Sequence, residues 1–155
     1  MNYVINQIKD DLEGLEGIQY LYFGEPESLG SEVIGKGAIA INPLTTDIVP
    51  ITTGTTDEYV FNIELVVYKL VRGTAKNAQE ESGDEFMTRI VEGRAADGSL
   101  LTNSIVQILK RNQRSYGIQI TDISVVYDSS RSDIEGAVTA TINVGILKHE
   151  QQLIN

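Results

Sequence analysis

Cysteine is absent from this 155-residue chain. That excludes disulfides, thiolate metal sites and cysteine nucleophiles together, and nothing in the sequence demands an oxidising compartment. Histidine occurs once, as His149. A nucleophilic triad needs an oriented base, and this candidate lies beside a polar stretch at the C-terminal end. No G-x-S-x-G or H-E-x-x-H pattern occurs. Basic residues are also few: 12 Lys and Arg stand against 22 Asp and Glu, for a net charge of −10. Non-specific nucleic-acid binding needs a basic face to neutralise phosphates, so this balance argues against it. No run of 18 apolar residues exists, the longest being interrupted by Glu64, Lys69, Asn143 and Gly145. No membrane span is therefore expected. The opening Met1-Asn2-Tyr3-Val4-Ile5-Asn6 lacks the basic and continuous apolar regions of a signal peptide.

What is present is an uneven acidity. Residues 1–64 carry eleven acids against two bases, Lys9 and Lys36, whereas residues 65–155 carry eleven acids and ten bases. A solvated, solubilising surface is the plain reading of the acidic half. The sharper one is an acidic wall past which a partner slides without sticking. The length favours one domain over residues 1–155, with residues 148–155 expected as a flexible polar tail.

Val4, Ile5, Ile8, Leu12 and Leu15 recur at helical spacing, and Gly14 and Gly17 mark the end of that helix. Ile18–Phe23 reads as a short strand. Residues 24–37 hold Gly24, Pro26, Gly30, Gly35 and Gly37 and read as a loop. Gly37–Asn42 reads as a strand closed by Pro43, and the Thr-rich residues 43–57 as two turns around a short strand, Ile48–Ile51. Glu58–Val71 is the clearest strand, with Tyr59, Phe61, Ile63, Leu65 and Val67 on one face. Its second half is apolar on both faces, which predicts burial between layers or against a neighbouring subunit. Residues 72–83 read as an exposed loop or the frayed start of a helix. Helical spacing follows from Asp84 to Val91, breaks at Ala95–Gly98, and restarts from Leu101 to Arg111. Ile118–Tyr127 and Ile134–Leu147 form the strongest hairpin signal, joined by the polar turn 128–133. The fold class predicted is α+β: a mostly antiparallel sheet with an N-terminal helix and a central helical segment packed on one face.

Three patterns invite a chemical reading. Gly30-Ser-Glu-Val-Ile-Gly35-Lys36-Gly37 fits the first seven positions of a P-loop. The next position must be Ser or Thr to ligate magnesium, and Gly37 stands there. Residues 128–133 superficially resemble a calcium loop, but its glycine position is Asp133 and its terminal acid position is Thr139. A turn tip accounts for them better. Adjacent carboxylates such as Asp10-Asp11, Glu80-Glu81 and Asp84-Glu85 point apart on a helix and do not converge on a substrate. No catalytic residue, cofactor or metal is expected. The only basic cluster is Lys110, Arg111 and Arg114. It suits a helix C-terminus, or an ion-pair partner for acids on a neighbouring copy.

Taken in order, the helix from Asn2 to Glu16, the strand ending Tyr22-Phe23-Gly24, the long strand Glu58–Val71, the helical segment Asp84–Arg111 and the hairpin Ile118–Leu147 resemble the tail terminator proteins of long-tailed bacteriophages. The resemblance covers residues 2–148 and rests on element order, size and acidity, with a split central helix as a departure. It implies a hexameric ring of this chain on the head-proximal end of the tail tube. That ring would contact the tail tube protein, the head connector or completion protein and, in a contractile tail, the sheath protein. DNA would pass through without specific binding. It further implies a location in the virion neck after assembly in the bacterial cytoplasm. On that reading Glu25, Glu27, Lys76, Glu80, Glu81, Asp128, Arg131 and Asp133 are candidate partner-facing residues. Arg89, Arg94 and Arg111 are candidate inter-subunit ion-pair formers. The alternatives are another neck or tail protein (a head-completion stopper or a tube protein), a small-ligand or nucleotide-binding module using residues 30–37, and, last, an enzyme with a novel site.

Overall fold

A computed structural model of the chain describes residues 1–24, 26, 30–50, 56–70, 83–128 and 137–151. Its elements, in chain order, are α1 (Asn2–Leu12), β1 (Tyr20–Phe23), α2 (Ser31–Lys36), β2 (Ala38–Pro50), β3 (Thr56–Leu70), α3 (Gly83–Val91), α4 (Ile105–Asn112), β4 (Gln119–Asp128) and β5 (Ala137–Gln151). The five strands form one sheet in the order β1-β2-β3-β5-β4. All pairings are antiparallel except β1 with β2, which is parallel. The fold is thus α+β, with a mostly antiparallel sheet.

Strand alternation builds the main core. Phe61, Ile63, Leu65 and Val67 of β3 and Ala140, Ile142, Val144 and Ile146 of β5 all point to one face and are buried. Val4, Ile5, Ile8 and Leu12 of α1, Phe86, Met87, Ile90 and Val91 of α3, and Ile105, Ile108 and Leu109 of α4 complete the same cluster. Each helix contributes the stripe its apolar spacing dictates. The expectation that the N-terminal and central helices share one face of the sheet holds.

The opposite face carries a second, smaller cluster: Ile34 of α2 over Ala38 and Ala40 of β2 and Tyr68 of β3, flanked by Val66. The two apolar faces in the second half of β3 are therefore covered by layers of its own chain, α2 on one side and the main core on the other. Residues 30–37, expected as loop, form the helix that does this. Six residues suffice because α2 also carries the chain back so that β2 can run parallel to β1, a connection no tight hairpin can make.

Two further expectations are corrected. Pro43 does not close a strand, and residues 43–50 are not turns around a short strand. β2 continues to Pro50 with an irregularity between Pro43 and Thr45. Beyond Ile41 no strand among the described residues lies on its outer side, because β1 ends at Phe23, and proline is tolerated on such an edge. Likewise residues 148–151 are not tail: β5 runs to Gln151 and pairs with β3 as far as Thr56. Residues 152–155, the rest of the expected tail, lie outside the described residues, as do 72–82 and the hairpin tip 129–133.

The helical restart also shifts. Leu101 is not helical; α4 begins after Ser104, whose buried side chain accepts a hydrogen bond from the Gln107 backbone N–H at 3.2 Å. Ser104→Ala should lower stability by about 1 kcal/mol, the usual worth of such a cap. A urea midpoint unchanged by this substitution would show that the cap contributes nothing.

Candidate functional site

The basic cluster sits where its sequence position implied, at the end of α4. Lys110 is exposed there and lies on the rim of a groove of about 430 Å³ between α4 and β4. The groove floor is apolar, made by Val106, Ile120, Ile123 and Val125, while Glu92, Gln113 and Asp122 add polar groups. Beside it runs the outer edge of β4, which among the described residues pairs with β5 on its other side only.

A second cleft, about 320 Å³, lies where α1 meets α3 and α4. It brings Arg89 and Arg111 together with Asp11, Glu13 and Glu16. Arg89 also stands 5.5 Å from the Phe86 ring centroid, and Arg111 donates from Nη1 to the Thr102 carbonyl at 3.1 Å. Arg94 is elsewhere. It closes the 94–100 loop by donating to the Gly98 carbonyl at 3.1 Å, where Arg94 and Leu100 form a β-bridge. Of the three arginines singled out for inter-subunit pairs, two therefore share a cleft and the third braces its own loop. Asp128 is exposed at the end of β4, and its carbonyl accepts from Thr139 Oγ1 at 3.4 Å. Glu25, Glu27, Lys76, Glu80, Glu81, Arg131 and Asp133 lie outside the described residues.

Two tyrosine–carboxylate contacts had no signal in the sequence. The Tyr116 hydroxyl donates to Asp11 Oδ2 at 2.6 Å, and Asn112 Nδ2 donates to the same oxygen at 3.0 Å. This ties α1 to the turn after α4. The Tyr127 hydroxyl donates to Glu92 Oε2, tying β4 to the turn after α3. Burial, then the carboxylate bond, pushes both phenol pKa values above the ordinary 10.0. The sign follows directly. The folded chain keeps both protons while the unfolded chain loses them from 10.0 upward, so this stabilisation is intact below 10.0 and shrinks as pH rises past it. Urea unfolding should show a wild-type midpoint that falls above pH 10.0, and a shallower fall in Tyr116→Phe. Equal slopes in the two proteins would sink the assignment.

The calcium-like stretch 129–133 lies outside the described residues, and the P-loop-like stretch does not take the form of a phosphate cradle. Residues 30–37 do not form a loop ahead of a helix; the helix α2 runs through the motif and ends at Lys36. Lys36 Nζ lies 3.7 Å from Glu32, and the Gly37 carbonyl accepts from the backbone N–H groups of Gln19 and Tyr20. A phosphate cradle needs N–H groups of a following helix N-terminus, and here a strand follows. His149 is exposed on β5, 3.2 Å from Glu58 Oε2 on β3. Among the described residues no three His, Cys, Asp or Glu side chains gather as a metal set, and no helix is long and apolar enough to cross a membrane.

No family model matches the chain, and no curated protein does. Among solved structures it is similar to a mycobacterial sensor histidine kinase, MprB, at 11% identity and a TM-score of 0.36, over 94% of this chain and 95% of that one. A likeness at that level carries no argument about fold or activity.

Proposed function

We propose that this chain is a bacteriophage tail terminator, which acts by assembly and not by catalysis. Copies close into a ring, hexameric on the resemblance, that caps the tail tube, joins it to the head connector or completion protein, and lets DNA pass without gripping it. Where the tail is contractile, the sheath protein is a further neighbour. The observation that supports this reading is the element order: an N-terminal helix, a short strand, a short helix, two long paired strands, a split helical segment and two terminal antiparallel strands. The acidic balance agrees with a channel that does not hold phosphates. A ring also needs two different contact patches on each copy, and among the described residues β2 beyond Ile41 and β4 are two of the places where this sheet has an unpaired side.

Negative-stain electron microscopy of the protein alone, and mixed with tail tubes of its phage, tests this. Closed rings, or density added at one end of each tube, are expected. Long cylinders would make it a tube protein, and density on head connectors alone would make it a stopper. Single particles that leave both tubes and connectors bare would overturn the tail reading.

A further inference from the structure

We propose that the unpaired edge of β2, residues 44–49, docks on the outer edge of β4 of a second copy, placing Ile48 over the apolar groove between β4 and α4. The inference rests on the self-assembly in the proposed function and names the surfaces that would carry it.

Every residue of β2 from Leu44 to Pro50 is exposed, including Leu44 (51%), Ile48 (55%) and Val49 (50%). Apolar side chains at such exposure on a strand with an open edge invite a partner strand. The prolines set the side on which one can bind. Pro50 stands opposite Asp57 and has no N–H to give to β3. Backbone N–H groups in a strand alternate in direction, so those of Ile48 and Thr46 point outward with the bare Pro50 nitrogen. The free donors are confined to the segment between Pro43 and Pro50. That length suits a short, registered contact and does not suit an endless one.

β4 offers the other half. It carries no proline, is ten residues long and has one partner strand. Along it lies the groove of Ile120, Ile123, Val125 and Val106, half-buried and open to one side. Ile48 stands opposite Tyr59, on the same sheet face as Phe61 and Ile63. In a sheet continued from copy to copy with the helices on one side, that face meets the groove. Charge favours a second copy as the occupant. Asp57 of β3 lies on the same sheet face as Ile48, and the groove rim bears Lys110. Glu92 and Asp122 also line the groove, and Glu92 accepts the Tyr127 hydroxyl, so Lys110 is the group of this lining that an acid can pair with. Among the described residues Lys110 forms no ion pair inside its own copy. The contact joins unlike surfaces, so it propagates from copy to copy, into a ring where the rotation closes, and does not form a closed pair.

The test uses the full chain and complementation between variants, read by sedimentation and electron microscopy. Thr46→Pro removes an outward donor, and Ile48→Lys removes the apolar anchor; both positions are exposed, so the fold is kept. Val125→Lys blocks the groove, and the surface change Lys110→Glu does so without touching the core. Each arm variant should lose assembly alone, as should each groove variant. An equimolar mixture of one arm and one groove variant should recover dimers that grow no further, since it contains one intact arm and one intact groove. Leu100→Lys, in the separate 94–100 loop, should assemble as wild type. Arm and groove variants that still form wild-type rings would overturn this interface and leave the terminator reading standing. Wild-type protein that stays single with and without tubes and connectors would overturn both.

Discussion

Gly37→Ala is expected to destabilise the fold by about 4 kcal/mol or more, well above the left-handed backbone penalty of about 1–2 kcal/mol. Gly37 has φ +87° at the turn from α2 into β2, and a Cβ built there falls 2.1 Å from the Gly17 carbonyl oxygen. That oxygen is backbone and cannot swing away. It also receives Lys69 Nζ at 3.3 Å, while the Lys69 ammonium stands 5.2 Å from the Phe86 ring centroid. A methyl at Gly37 therefore displaces the turn after α1, the bond from β3 and the packing of α3 at once. Gly98 supplies the control. Its φ is +85°, yet nothing lies within 4 Å of an added Cβ. Gly98→Ala should cost only the backbone penalty, and the larger loss at Gly37 combines the collision with a ψ of 131° that side-chain-bearing residues rarely adopt at positive φ. Chemical denaturation of both measures it. Equal losses would mean that the turn relaxes freely and that the corner is not rigid. Against a typical total of about 5–15 kcal/mol, the Gly37 variant should populate unfolded chain at physiological temperature.

Leu65→Ala should lower stability by about 2–5 kcal/mol, and its neighbour Val66→Ala by about 1 kcal/mol. Leu65 is fully buried in the main core, between Ile41 of β2 and Ile142 of β5 in the central register of the sheet. Val66 is half-buried on the other face, beside the small cluster under α2. The contrast tests the strand's register, because a slip by one residue would exchange the two faces. Urea midpoints in which Val66→Ala costs as much as Leu65→Ala would contradict the layer arrangement. The expected loss at Leu65 comes from lost transfer energy plus a cavity, since Ile41 and Ile142 are fixed on hydrogen-bonded strands and cannot collapse into the space.

These two positions also show which parts of the molecule are legible in the sequence. The face of β3 bearing Leu65 can be read because a period of two, sustained over many residues, fits a strand with one buried face and does not fit a helix. The same holds for β5, and the 3.6-residue period makes the stripe of α1 equally plain. The cover over Val66 cannot be read that way. α2 is six residues long, too short to display a helical period, and its glycines imitate a loop. β2 hides for a different reason. Pro43 and its threonines carry turn chemistry, and only the absence of a neighbour beyond Ile41 lets a strand accept them. The surfaces are less legible than the fold. Lys110 and Arg111 are visible as a helix end, but the groove beside them depends on β4 lying alongside α4. Asp11 and Tyr116 are 105 positions apart and carry no local pattern. Asp11 alone looks like an ordinary solvated acid.

The place of β5 has a consequence for how the protein is made. It follows β4 in the chain, yet in the sheet it lies between β3 and β4. During synthesis β3 emerges with one long side open, and β4 emerges with no strand to join. Neither can be satisfied until the ribosome has delivered Ala137–Gln151. Among the described strands the β2–β3 pair is the only large one that can close early, and the main core is finished by a late insertion. Contacts this distant in sequence make folding slow, and an open strand edge exposes the nascent chain to wrong pairings. Translation arrested just after Asp128 should therefore yield protease-sensitive chains, while arrest with β5 outside the exit tunnel should yield resistant ones.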